Sequence, residues 1–470
     1  MPDSSSNAPR PIRSFPLVAW AAILITTAVI ALGVAASKGG DGGQTAPAEA
    51  TGRNWSTLEL QGRVVFGEYL MDPNPPDEVM DALMKLAGND PSARLRISAI
   101  GAAIVGPDAA AQSLRTWATQ QRADGVVWSD EVREQMDAVD RLYAGTASDA
   151  VRADLQEEWG WFGRLAVAAA PSPDGWPSPT LEAARSAAVM TMVKMLVVVV
   201  LWCLGGVVGL VLLVVFVVRA FQGSVQSGMT AGTSHDGLYA ETFVIWLVLF
   251  CLMLSWAGAI GKDLDASTAL VPTLVVFPCS LIALLWPRLR GLPLRNVLDD
   301  IGWSSGRGVL RELGAGLMGY LMGIPILVVG LILMLILVWL SGSNTAAAES
   351  AHPIIGLLQS DNWLLRGQVL LLAVVLAPIL EETMFRGALY RQLRFAPRWR
   401  TAVSVLMSAV VTGIIFAIIH PQGVLAVPVL ASMGIAFAYA REWRGSLIAP
   451  MVMHGTSNGL TMLFVLLLLS

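Results

Sequence analysis

Charged residues, cysteines and histidines are all scarce in this chain. Only 14% of its 470 residues are charged, whereas 55% are apolar, and the mean hydropathy is +0.61. Soluble globular proteins carry roughly 25% charged residues, so this composition excludes that class and indicates a membrane protein. The three cysteines all lie in apolar runs, which argues against a disulfide framework and predicts buried, inert thiols.

Several motifs of known peptidases are also absent. No His-Glu-x-x-His sequence occurs, which argues against a zinc protease of that type. Gly-x-Ser-Gly and Gly-x-Gly-Asp are missing as well, which argues against the serine and aspartyl intramembrane types. The polar region 37–185 has no cluster of metal-ligating residues, no Gly-rich phosphate loop and no basic patch. Nucleic acid is therefore not an expected partner.

Long apolar stretches, by contrast, are abundant. About 20 apolar residues span a bilayer as a helix, and nine stretches qualify: Pro16–Ala36, Met190–Val218, Thr242–Ile260, Thr268–Trp286, Leu313–Leu340, Leu364–Tyr390, Thr401–Ile419, Val424–Ala440 and Ser446–Leu469. The expected fold class is all-α, a polytopic membrane helix bundle. The first stretch is also compatible with a cleaved signal peptide, although its long apolar core favours an uncleaved anchor.

Composition divides the chain into four regions: an anchor helix at 1–36, a polar region at 37–185, membrane helices two to five at 186–363, and the remaining membrane helices at 364–470. The polar region has flexible linkers and helical patterning at Asp77–Leu86, Ala110–Ala123 and Ser129–Tyr143. It predicts a small helical domain, and a protein partner for it is one possibility. Glycines four apart, as in Gly205–Gly209, predict close packing between membrane helices within the chain.

The basic residues set the expected orientation. Arginines precede the first stretch and occupy the loops 287–311 and 391–400, while the alternate loops 261–267 and 342–363 hold a single lysine. By the positive-inside rule, the N-terminus is cytoplasmic and residues 37–185 are extracytoplasmic. The sequence thus predicts a multi-pass protein of the cell membrane.

Three polar sets stand out in the last four stretches. They are Glu381-Glu382 with Arg386, Phe416 with His420, and His454 with Asn458. A charged residue in a membrane segment costs on the order of several kcal/mol, so charged residues there are usually functional. These positions are therefore candidates for function. The i, i+4 spacing predicts that Glu382 pairs with Arg386 and that Glu381 stays free on another face.

Structural explanations exist for each set taken alone. His420 at a helix end is a common interfacial residue, Glu382 with Arg386 can join helices, and Asn458 can hydrogen-bond a neighbouring helix. Together, however, the sets supply a carboxylate, two imidazoles and an amide, which suit water activation and oxyanion stabilisation. The other two histidines, His235 and His352, are predicted to be solvated loop residues.

Taken in order, the three sets resemble the signature of the CPBP family of intramembrane proteases, Glu-Glu-x-x-x-Arg, Phe-x-x-x-His and His-x-x-x-Asn/Asp. That family includes the type 2 CAAX prenyl proteases and proteins similar to lysostaphin resistance protein A. The resemblance covers about residues 365–462. It implies an intramembrane endopeptidase acting on a membrane-associated protein or peptide.

The resemblance also implies a role for each residue. Glu381 would be the general base, His420 would help to hold the water, and His454 and Asn458 would donate to the oxyanion. Glu382, Arg386 and Phe416 would support them. A metal-free site is favoured, but a zinc metalloprotease site with Glu381, His420 and His454 as ligands is left open.

Counting residues along the helices creates a difficulty. At 1.5 Å per residue, Glu381 and His454 lie roughly 15 Å from the inner ends of their helices, whereas His420 lies near the outer face. The three meet only if the seventh and eighth helices tilt or the basic loop projects outward. The alternatives are a non-catalytic scaffold or immunity-like binding protein of the same fold, and a proton-relaying transporter.

Overall fold

The structure is a computed structural model. It describes residues 15–39, 55–71, 76–88, 90–171, 179–230, 237–341, 357–358, 360, 362–395 and 400–469. The chain forms two compact units. The membrane unit comprises Met1–Gly39, Trp202–Ser341 and Ser360–Leu463, and the helical unit comprises Gly40–Leu201, Gly342–Gln359 and Phe464–Ser470.

Seven helices of the helical unit precede the second membrane span. They are Trp55–Met71, Pro76–Ala87, Pro91–Val105, Pro107–Ala123, Asp130–Tyr143, Asp149–Trp159 and Trp161–Ala169. The three helices expected from the sequence are present. Ser129 begins one of them as an N-cap, because its hydroxyl accepts a hydrogen bond from the Val132 N–H.

The helix Pro91–Val105 was not expected, because its polar and apolar residues do not alternate with a helical period. It is buried along almost its whole length, including Arg96, and lies in the unit's core. A helix buried on all sides lacks the periodic alternation by which an amphipathic helix is recognised. Phe66, Trp159 and Phe162 pack in the same core.

Among the described residues, nine helices are long and apolar enough to cross a membrane. They are Pro16–Gly33, Thr180–Phe221, Leu238–Gly261, Ala266–Leu289, Val309–Ser341, Trp363–Phe395, Thr401–Ile418, Val424–Arg444 and Ile448–Leu468, numbered here as spans one to nine. The all-α fold and the nine predicted spans are confirmed. The helix containing span two begins at Pro179, well before the apolar stretch predicted from Met190.

Some helices are interrupted or lie between spans. A 3-10 turn at Leu281–Leu284 breaks span four, another at Val424–Ala426 opens span eight, and the short helix Leu294–Ile301 lies between spans four and five. The cysteines are free as predicted, but Cys203 and Cys279 are exposed on the surfaces of their spans and only Cys251 is partly buried. The expectation of buried thiols was wrong for the two exposed residues.

Spans two and five pack closely at a glycine. A Cβ at Gly209 would lie 1.9 Å from the carbonyl oxygen of Leu321, so a larger residue cannot fit there. Gly205 faces Leu321 and Ile324 of the same span. The predicted packing of this glycine pair within the chain is confirmed.

Arginines of the predicted inner loops gather at one end of the membrane unit and are paired there. Arg391 binds Asp300 at 2.5 Å, and Arg444 binds Glu312 at 2.6 Å. Glu442 accepts hydrogen bonds from Arg394 and from the Tyr390 hydroxyl; these side chains are largely buried. The predicted inner ends of spans six and eight, which carry Arg391, Arg394 and Arg444, therefore meet Asp300 and Glu312 at the same end of the unit.

Candidate active site

Span six contains two π-helical segments, one before and one beginning at the second of its two adjacent glutamates. Its segments are α-helical at Trp363–Leu370, Ala377–Glu381 and Tyr390–Phe395 and π-helical at Leu371–Leu376 and Glu382–Leu389. π-Helical turns contain an extra residue and are frequent at functional sites. Glu381 ends an α-helical segment and Glu382 opens a π-helical one, so their side chains point in different directions.

Glu382 and Arg386 form a fully buried ion pair. The Arg386 guanidinium donates to Glu382 Oε1 at 2.9 Å and to the Gly434 carbonyl at 3.0 Å, and both side chains have no exposed surface. The rings of Phe416 and Phe437 lie 4.8 and 5.1 Å from the guanidinium carbon. The predicted pairing is present, and the aromatic rings add cation–π contacts to it.

Glu382 also binds an imidazole, a contact that sequence spacing did not predict. His454 Nδ1 lies 2.9 Å from Glu382 Oε1, and the histidine is 4% exposed. The Phe437 ring stacks on the imidazole with centroids 5.0 Å apart. A carboxylate at Nδ1 fixes the proton there and directs Nε2 away from Glu382.

Glu381 lies between the two histidines. Its Oε2 is 3.7 Å from His420 Nε2 and 3.9 Å from His454 Nε2. This oxygen is buried and has no hydrogen-bond partner among the described atoms. His420 Nδ1 is 2.5 Å from the Phe416 carbonyl, which assigns the proton to Nδ1 and leaves Nε2 as an acceptor facing Glu381.

The Phe416 ring fills the space between the two imidazoles. Its centroid lies 4.2 Å from that of His420 and 6.0 Å from that of His454, and the residue is 1% exposed. Glu381 and His420 keep 18% and 16% of their side-chain surface exposed. The Phe416 ring therefore lies between the fully buried pair of Glu382 and Arg386 and the partly exposed side chains of Glu381 and His420.

The predicted difference in depth between Glu381 and His420 is reduced by the length of span six. The helix continues to Phe395, beyond the end predicted at Tyr390, and Arg391 and Arg394 pair with Asp300 and Glu442 on other segments. Glu381 therefore lies fourteen residues from the helix end, about 21 Å at 1.5 Å per residue. His420 lies nineteen residues from Thr401, where span seven begins, or about 28 Å by the same count. The two side chains nevertheless meet, with Glu381 Oε2 3.7 Å from His420 Nε2.

Asn458 makes a different contact from the other three residues. Its Nδ2 donates to the Ala373 carbonyl in the first π-helical segment of span six at 2.8 Å. The two remaining histidines, His235 and His352, lie outside the described residues. The sequence also gave no signal for Gly434 and Phe437, because both reach the site only through the packing of span eight.

The donor atoms suit a metal chemically, since one carboxylate and two imidazoles are common zinc ligands. Each imidazole Nδ1 is also bound to a carboxylate or a carbonyl, as in metal-ligating histidines. The spacing is less suitable: among the residues that the structure describes, no group of three His, Cys, Asp or Glu side chains meets the arrangement of a metal site. A bound metal would be held by Glu381, His420 and His454, and would supply a Lewis acid to polarise water.

Comparison with known proteins gives matches in this part of the chain. Residues 363–460 match the family model of the type II CAAX prenyl endopeptidases, Rce1-like. The chain is 31% identical over 93 residues to the membrane-embedded CAAX protease MroQ of Staphylococcus aureus (strain USA300), covering 20% of this chain and 37% of that protein. It is 30% identical over 145 residues to an uncharacterized 24.3 kDa protein of Escherichia coli, covering 30% of this chain and 64% of that protein.

No solved structure matches the chain. The family match begins at the first residue of span six and ends two residues beyond Asn458, so it contains all three polar sets. Spans six to nine, with the buried glutamates and the two facing histidines, are therefore the part of the chain that is similar to CAAX-type membrane proteases, and the chain spans less than two thirds of the length of either relative.

Proposed function

We propose that this protein is an intramembrane endopeptidase in which Glu381 activates water for attack on a peptide bond. The observation that carries this proposal is the position of Glu381 Oε2. That oxygen is buried, has no hydrogen-bond partner among the described atoms, and lies within 3.9 Å of the Nε2 atoms of both His420 and His454. An unpaired buried carboxylate oxygen is costly and calls for a ligand, and water is the simplest one.

The spacing between Glu381 and His420 suits a shared water. Two acceptors 3.7 Å apart are too far apart to bond directly, but one water at about 2.8 Å from each can donate a proton to both. Its lone pairs then point away from both side chains, toward a substrate carbonyl carbon. Glu381 takes the first proton as the oxygen attacks, and His420 keeps the second in place.

His454 stabilises the negative oxygen that forms. It lies between the carboxylates of Glu381 and Glu382 and carries a proton on each nitrogen, with Nδ1–H donating to Glu382 and Nε2–H to the oxyanion. The tetrahedral intermediate then collapses as Glu381 passes its proton to the amide nitrogen and the C–N bond breaks. The second water proton passes from the new carboxylic acid to the new amine, so the products are a carboxylate and an ammonium group, and Glu381 is ionised again.

The surroundings of the site favour a membrane-associated protein or peptide as substrate. An apolar groove of about 550 Å³ lies between spans six and nine, within the membrane unit. Its lining includes Pro378 and Ile379 just before Glu381 and Gly455 just after His454. In the proposed reaction, the apolar part of a substrate occupies this groove, whose lining lies next to Glu381 and His454 in the sequence.

The orientation proposed from the basic loops places the end with Arg391, Arg394 and Arg444 in the cytoplasm. Nine spans then leave the N-terminus cytoplasmic and the polar region 37–185 outside. The pairing of these arginines with Asp300, Glu312 and Glu442 at one end of the unit supports this assignment. Protease accessibility of tags placed at either terminus and after Ala170 tests it.

The proposed function is tested by replacing Glu381 with glutamine, which has nearly the same shape but is not a base. New peptide termini are compared between membranes that contain wild-type protein and membranes that contain Glu381→Gln, with Glu182→Gln as an exposed control. We expect termini that depend on wild-type and control protein and disappear with Glu381→Gln. Equal termini in all samples would contradict a peptidase and favour a binding protein of the same fold.

Treating the protein with a chelator tests whether cleavage requires a metal. The favoured metal-free mechanism predicts that cleavage persists after chelation and that metal analysis of the purified protein finds no stoichiometric zinc. Loss of cleavage on chelation, restored by zinc, would assign Glu381, His420 and His454 to a metal instead.

A further inference from the structure

Two backbone carbonyls of span six lack their usual donors because of a proline. In an α-helix the Ala373 carbonyl accepts from Ala377, and in a π-helix it accepts from residue 378. Here the Ala377 N–H donates to Leu372 instead, and Pro378 has no N–H. The neighbouring Val374 carbonyl likewise loses its α-helical donor at Pro378.

Both carbonyls face span nine. Asn458 Nδ2 donates to the Ala373 oxygen at 2.8 Å. One turn earlier, a Cβ added at Gly455 would lie 2.7 Å from the Val374 oxygen, so this glycine lets the two backbones approach. Span nine thus contacts the carbonyls freed by Pro378 with one hydrogen bond and one close backbone contact.

This contact joins the two pieces of chain that carry the reactive groups. Pro378 lies three residues before Glu381 in span six, and Asn458 lies four residues after His454 in span nine. A movement of the π-helical segment relative to span nine therefore changes the position of Glu381 relative to His454, whose Nε2 is 3.9 Å from Glu381 Oε2.

We infer that Asn458 is a positioning residue: its amide replaces the donor that Pro378 removes from Ala373 and so fixes Glu381 against His454. This inference rests on the proposed function, because positioning has consequences only if Glu381 is the base. It assigns to Asn458 a role other than the oxyanion donor that the family resemblance implies, because the partner of its amide is a backbone carbonyl of span six.

A positioning role and an oxyanion-donor role for Asn458 are distinguished by restoring the backbone N–H that Pro378 lacks. Asn458→Leu removes the donor at similar size, and Pro378→Ala supplies a backbone N–H to the freed carbonyls. We expect Asn458→Leu to lower kcat by about 100-fold, the usual effect of a misplacement of about 1 Å, with KM little changed. In the Pro378→Ala background, the same change should lower kcat only a few-fold.

An oxyanion donor would behave differently. Its loss would lower kcat by about 10²–10³-fold in both backgrounds, because Pro378→Ala provides no group at the oxyanion. That result would overturn the inference. Ser457→Ala, on the same helix, is the matched control and should leave kcat unchanged.

A second readout keeps this test independent of the proposed function. The midpoint of thermal unfolding should fall in Asn458→Leu and should recover in the double variant with Pro378→Ala. Recovery in a protein that cleaves nothing would contradict the peptidase while leaving the contact intact. Unfolding midpoints that are equal with and without Asn458, in both backgrounds, would contradict the inference itself.

Discussion

Arg386 of the membrane unit and Arg115 of the helical unit have opposite environments. In the membrane unit Arg386 has no exposed surface, and both of its partners, Glu382 and the Gly434 carbonyl, are within 3.0 Å. In the helical unit the Arg115–Asp140 pair has 57% and 32% of its side-chain surface exposed. An exposed pair exchanges water for an ion partner at little net gain, whereas a buried charge depends on every partner it has.

The comparison shows why the membrane unit can hold a reactive carboxylate. The ion pair of Glu382 and Arg386 fixes the start of the second π-helical segment and holds His454 through the same oxygen. Glu381, one residue earlier, has no such partner and faces the two imidazoles. The two adjacent glutamates thus face different neighbours: Glu382 belongs to a buried ion pair, and Glu381 is the base of the proposed mechanism.

The strongest test of this comparison is Arg386→Met. We expect it to lower the free energy of unfolding by about 3–5 kcal/mol, because Glu382 is left as a buried charge without its cation. Unfolding in mixed micelles measures the change. The double variant Glu382→Gln/Arg386→Met removes both charges and should be markedly more stable than the single one; a single variant as stable as wild type would contradict the account.

An intermediate effect is expected at Arg96 of the helical unit. Its guanidinium carbon lies 3.9 Å from the Trp55 ring centroid, and burial lowers the pKa of the group, although Glu158 and other carboxylates oppose that shift. We expect Arg96→Met to lower the free energy of unfolding of this unit by about 1–2 kcal/mol, through loss of the cation–π contact and a hydrogen bond. Faster hydrogen exchange in Pro91–Val105 is the measurement.

The exposed Arg115 provides the control, for which we expect the smallest change in stability. Arg115→Ala removes the pair with Asp140 and should change the free energy of unfolding by less than about 1 kcal/mol. Exchange in Pro91–Val105 should stay as in wild type. If Arg115→Ala proved as costly as Arg96→Met, burial would not be the property that separates the two arginines.

Much of this arrangement was predictable from residue types and spacing. Apolar length predicted the nine spans, and i, i+4 spacing predicted the pairing of Glu382 with Arg386. The joint occurrence of Glu381, His420 and His454 indicated a shared site, and the structure brings the three together. Their catalytic roles remain proposals.

Other features depend on packing that spacing does not encode. The bond between Glu382 and His454 joins residues 72 positions apart, and no local pattern marks it. The contact of Asn458 with Ala373 depends on a change of helical geometry, for which Pro378 was the one visible signal. The depth of Glu381 was underestimated because Arg391 and Arg394 were assigned to a loop, whereas they lie in the helix and pair with acidic residues of other segments.

The central claim is that Glu381 and His420 hold the same water, and a kinetic double-mutant cycle tests it most directly. Glu381→Asp shortens the base and His420→Gln removes the imidazole; each should slow cleavage, by up to about 10²–10⁴-fold for a group in proton transfer. If one water is shared, the double variant should be little slower than the slower single variant. Losses that multiply in the double variant would show that the two residues act independently, and would contradict the account.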